Sequence, residues 1–177
     1  MILRIVLISL AAAVSGLSLI TFPISISAFA VIYSVIWCLL AFEDARFLSV
    51  QIWLLALGVG SGILFITCYW VSLGQLSSLL ETFLQSLFFA ACLAILGFVF
   101  QSLLGKSSLG PADPFAMFAI TLPLSHEGVI WLLIMTYPLG LMFQYGRADR
   151  SIPLITLMVI GSNVLIIWEL LVSNSFQ

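Results

Sequence analysis

Two aspartates stand in a chain that has almost no charge to spare. Asp113 closes the stretch Leu109-Gly110-Pro111-Ala112-Asp113-Pro114 at the mouth of an apolar segment, and Asp44 follows Glu43 at the end of another uncharged run. A carboxylate at membrane depth costs about 2.5 to 3.5 kcal/mol on insertion scales, so its default reading is functional. Two carboxyls held close together cannot both ionise easily. One keeps a proton while the other acts as a base, the arrangement by which aspartic proteases activate water against a peptide carbonyl.

The elements that would hold such a pair are those of a membrane protein. Of 177 residues, 63% are hydrophobic and 7% charged, and the mean hydropathy is +1.30. A soluble core needs no such balance, whereas a polytopic, all-α integral membrane domain does. The net charge of -2 is scattered along the chain. That leaves no basic face for nucleic acid, and partners must meet the protein largely within the lipid. Cys38, Cys68 and Cys92 each sit alone in an apolar run. Their spacing suits neither a metal site nor a redox motif, and they read as buried, inert thiols. No cofactor box is evident.

Apolar runs near the ~20 residues needed to cross the hydrocarbon place seven segments, over 2–20, 24–42, 48–70, 82–103, 114–124, 129–145 and 152–172. Pro23, between Thr21 and Ser25, splits an uncharged stretch too long for one span. Residues 1–22 form an extra N-terminal helix that also reads as a signal segment, because Arg4 precedes an apolar run ending in small residues. The core is then 24–172, within a single domain of 1–177. The fifth segment is too short to span unaided and needs the shelter of its neighbours. Gly58 and Gly62 lie one turn apart, a flat stripe for helix packing. His126 and Glu127 read as a solvated turn, and Asn163 as a hydrogen-bonding residue between helices.

This count puts all five basic residues, Arg4, Arg46, Lys106, Arg147 and Arg150, on one side. By the positive-inside rule that side is cytoplasmic. Asp44 and Asp113 lie on the same side, each at a junction between loop and helix, so they are free to converge. Simpler explanations exist for each taken singly. Asp113 before Pro114 suits an N-cap with proline at the first helical position, Asp44 suits an interfacial acid beside Arg46, and Glu43 would replace Asp44 on a rotated helix.

The chain resembles the type IV prepilin peptidases and the related archaeal preflagellin peptidases, membrane aspartyl proteases with a Gly-x-Gly-Asp signature and an earlier Asp at a helix end. Gly110-Pro111-Ala112-Asp113 stands where that signature stands. Phe42-Glu43-Asp44-Ala45-Arg46 resembles the first catalytic Asp with its basic neighbour. The stretch from Arg147 through Arg150 to Ile152-Pro153 resembles the basic loop and Ile-Pro that open the last core helix. The similarity covers about residues 34 to 165. It departs at Ala112 for the second glycine, at Phe115 for a lysine, and at Gln51 for a proline, although the archaeal relatives tolerate alanine at the first of these.

The resemblance implies a six-helix catalytic core with Asp44 and Asp113 as the catalytic pair, Gly110 and Ala112 shaping the motif, and Arg46, Arg147 and Arg150 as substrate or loop contacts. It also implies a pilin-like precursor as substrate, held in the membrane by an apolar segment and cut on the cytoplasmic side after a short basic leader. No metal or other cofactor is required. Which acid is the base stays open. Two other classes stay open as well, an inactive scaffold homologue suggested by the altered motif and a small proton-coupled transporter suggested by the buried acids.

Overall fold

The computed structural model describes residues 2–104, 110–145 and 153–174. Among these residues the chain is all helical, with seven helices and no strand: α1 Ile2–Thr21, α2 Ile24–Phe47, α3 Ile52–Ser72, α4 Leu76–Leu104, α5 Asp113–Thr121, α6 His126–Tyr145 and α7 Leu154–Asn174. Five of them, α1 to α4 and α7, are long and apolar enough to cross a membrane. The protein is therefore of the all-α membrane type.

Each break has a local cause. Pro23 separates α1 from α2 at extended backbone angles, and the Ser27 hydroxyl lies 2.8 Å from the Ser18 carbonyl, tying the two helices at the turn. Gly74 ends α3 at a φ of +69°, a conformation open to glycine at no steric cost. α2 runs five residues past the boundary at 42 drawn from its hydropathy. Glu43, Asp44, Ala45 and Arg46 contain no helix breaker, and the turn comes only at Leu48, which adopts φ 51° and ψ 29° and donates its N–H to the Asp44 carbonyl. Asp44 thus sits within α2 and not in a loop. α6 likewise begins at His126, ahead of the expected 129. Ser125 caps it by accepting the Gly128 N–H at 3.1 Å, and Pro138 is carried inside the helix.

α2 is the central element, packed against α1, α3 and α7, while α5 lies among α3, α4 and α7. Its buried face carries Ala30, Tyr33, Trp37, Leu40 and Ala41, which meet Ala116, Met117, Ala119 and Ile120 of α5 and Ile155, Met158 and Val159 of α7 in one core. Lipid offers no hydrophobic drive between helices, so close van der Waals fit must hold them. Gly58 and Gly62 supply it. A Cβ at Gly58 would lie 2.7 Å from a Leu40 methyl, and one at Gly62 would lie 3.3 Å from both the Ala119 carbonyl oxygen and the Tyr33 ring. The Tyr33 hydroxyl reaches that same Ala119 carbonyl at 3.4 Å, joining α2 to α5. Nine residues of α5 extend about 14 Å, so this helix is sheltered and does not cross.

A candidate carboxylate site

Asp44 occupies the last turn of α2, where the helix dipole disfavours an acid. Its compensation comes from another helix. Asp44 Oδ2 accepts the Thr156 backbone N–H at 2.9 Å and lies 3.0 Å from the Thr156 hydroxyl. Ile155 and Thr156 belong to the first turn of α7, whose N–H groups have no partner within their own helix. Asp44 therefore caps α7 from α2, and it is only 6% exposed. Glu43 turns the other way and accepts the Gln51 N–H at 3.4 Å across the loop, which makes Asp44 the acid of the pair that faces the bundle.

Asp113 is 7% exposed at the start of α5. Gly110 to Asp113 form a turn closed by the Asp113 N–H on the Gly110 carbonyl at 3.2 Å, with Pro111 pre-set for the second position. The side chain folds back over this turn, and Oδ2 accepts the Gly110 N–H at 2.6 Å. The simple cap reading fails here. Ala112 holds the N-cap position, Asp113 is already helical, and its carboxylate serves the preceding turn.

The motif residues have plain local roles. Ala112 has φ -79° and ψ -24°, ordinary right-handed values, so alanine in place of glycine introduces no strain. Gly110 needs no left-handed backbone, and a Cβ there would rest 3.6 Å from the Asp113 carboxylate oxygen, covering the group from solvent. Phe115 is exposed on the outer face of α5.

Asp44 lies within electrostatic reach of Asp113. Burial pushes the Asp113 carboxyl up to about 7, the Gly110 N–H opposes that rise, and the charge of Asp44 adds to it. Asp44 and Asp113 come from α2 and α5, and α7 packs against both. Arg4 reaches the same end of the bundle, its guanidinium 4.5 Å from the Phe42 ring centroid, and Arg46 lies 4.8 Å from that of Phe47. Lys106, Arg147 and Arg150 lie outside the described residues.

Other sequence candidates stay away from the acids. His126 and Glu127 start α6 at the opposite end, where Ser125 donates its hydroxyl to Glu169 at 2.5 Å. Asn163 does not bridge helices through its amide nitrogen, which bonds the Val159 carbonyl of its own helix at 2.8 Å. The cysteines are unpaired and half-buried, and no cluster of metal-ligating side chains occurs among the described residues. Thr156 was not marked by its sequence context. The available signal was a hydroxyl residue in the first turn after Ile152-Pro153, a place where helix amides await a partner.

No protein-family model matches the chain, and comparison with curated proteins and with solved structures finds no match.

Proposed function

We propose that the protein is a membrane aspartyl endopeptidase that removes the leader from pilin-like precursors, with Asp44 and Asp113 as its catalytic pair. The observation that carries this reading is that two acids distant in sequence are both buried at helix ends, Asp44 in the last turn of α2 against the start of α7 and Asp113 at the start of α5, which α7 also contacts. A pair of this kind holds one proton between two carboxyls near neutral pH. The ionised carboxylate takes a proton from water as its oxygen attacks the scissile carbonyl carbon. The protonated carboxyl donates a hydrogen bond to the carbonyl oxygen, and a proton then passes to the leaving amine as the C–N bond breaks.

The seven helices fit a six-helix catalytic core preceded by one N-terminal helix. With Arg4 and Arg46 at the same end as the acids, the positive-inside rule supports a cytoplasmic site in a prokaryotic inner membrane. A substrate anchored by an apolar helix would bring its cleavage point to this depth. The resemblance to prepilin and preflagellin peptidases supplies the substrate class, and the unstrained backbone at Ala112 removes one objection to it.

The experiment is co-expression with a precursor carrying a short basic leader and an apolar helix. Processing is expected from the unaltered protein and absent with Asp44→Asn or Asp113→Asn. Complex formation without cleavage by the unaltered protein would reject the reading.

A further inference from the structure

The surroundings of the two acids differ in a way that separates their roles. Asp44 accepts the Thr156 backbone amide and also lies within reach of the Thr156 hydroxyl. Asp113 accepts the single Gly110 amide. A backbone N–H can only donate, so each one favours the charged form of the carboxylate it meets. The donors around Asp44 are held in place by the first turn of α7.

The Thr156 hydroxyl completes the asymmetry. Its oxygen lies 2.7 Å from the Ala41 carbonyl and 3.0 Å from Asp44 Oδ2, yet a hydroxyl has one proton to give. The Ala41 carbonyl sits inside α2, where the helix ladder already supplies a donor. The hydroxyl is therefore free to give its proton to an ionised Asp44. With the Thr156 N–H fixed on the same Oδ2, a proton given by the hydroxyl joins a second donor on one carboxylate oxygen.

Resting on the peptidase reading, we infer that Thr156 is a positioning residue that holds Asp44 as the ionised base of the pair and leaves the shared proton on Asp113, the acid. The charged or titratable groups around Asp44 are few. Asp113 of α5 is within electrostatic reach, Glu43 and Arg46 flank it on α2, and Arg4 of α1 lies over Phe42 one half-turn away. On α7 the first described acid is Glu169, at the far end beside Ser125.

The test compares Thr156→Val, which keeps the branched shape and the N–H, with Thr156→Ser, which keeps the hydroxyl. Thr156→Ala serves where valine impairs folding. With a purified precursor, loss of the hydroxyl is expected to lower kcat about tenfold, with KM within about twofold. The acid limb of the kcat/KM profile should move up by about one pH unit, because a donor to the charged base is gone. Serine should return the limb to its wild-type position. In protein labelled at the carboxyl carbons of its three aspartates, the Asp44 resonance should titrate at higher pH in Thr156→Val, also in an Asp113→Asn background. A folded Thr156→Val or Thr156→Ala protein with an unmoved limb and an unmoved Asp44 resonance would overturn the inference. Absence of cleavage by the unaltered protein, with the Asp44 resonance still responding to Thr156→Val, would overturn the peptidase reading alone.

Discussion

Asp44 Oδ2 accepts the Thr156 backbone N–H at 2.9 Å, so an acid in the last turn of one helix caps the first turn of another. The same carboxylate in isolation would oppose the dipole of α2. Its position makes sense only in the assembled bundle, where α7 begins beside the place where α2 ends. Asp113, at the start of α5, is held through a turn that bends its carboxylate back on Gly110.

The pH dependence of stability should carry the mark of Asp113. Its carboxyl stands at about 7 in the folded protein against an ordinary value of 3.8. Between those values the folded protein keeps a proton that the unfolded chain has released. Stability from this group is thus complete below the ordinary value, falls as pH rises through the window, and levels off above about 7. The slope is at most about 1.4 kcal/mol per pH unit. Thermal midpoints in detergent from pH 4 to 8 should decline more steeply for the wild type than for Asp113→Asn, and a peptidase using this proton should lose kcat/KM on a basic limb near pH 7.

The end of α2 offers a test of local strain beside the site. Leu48 adopts a left-handed backbone with φ 51°, which disfavours a side chain by about 1 to 2 kcal/mol. Leu48→Gly is expected to raise stability by up to about 1 kcal/mol, read as a higher thermal midpoint. Leu48→Val, stiffer at Cβ, should lower it.

Helix packing can be tested with two neighbouring glycines of opposite surroundings. A Cβ at Gly60 meets nothing within 4 Å, and one at Gly62 meets the α5 backbone at 3.3 Å. Gly60→Ala should be neutral or stabilising by up to about 1 kcal/mol, and Gly62→Val should destabilise by about 1 to 3 kcal/mol. Because Gly62 supports α5 through Ala119, Gly62→Val should also weaken processing. Equal midpoints for the two variants would contradict the packing described for α3.

Much of this arrangement was legible in the sequence because apolar length and Pro23 place helices with little help from tertiary context. The charged run at 43–46 was harder. It reads as loop by hydropathy, yet it stays helical because nothing in it breaks the helix before Leu48, and the α7 contact that satisfies the Asp44 carboxylate is invisible until the helices are paired. Asp113 before Pro114 has the form of a cap, and only the turn at Gly110 shows where its oxygen goes. By sequence Asn163 reads as a link between helices, because a buried amide needs partners. Its own Val159 carbonyl meets the nitrogen's need locally. The place of Thr156 just after Ile152-Pro153 is legible, but its role depends on where the end of α2 lies.

The most direct measurement is single-turnover cleavage of a purified pilin-like precursor by the wild type, Asp44→Asn, Asp113→Asn and the double variant, all in the same lipid. If the two acids act as one unit, each single variant should lose at least about 10³-fold, and the double variant should lose no more than either alone. A single variant that still cuts at the wild-type rate, or losses that multiply in the double variant, would contradict the shared-proton pair.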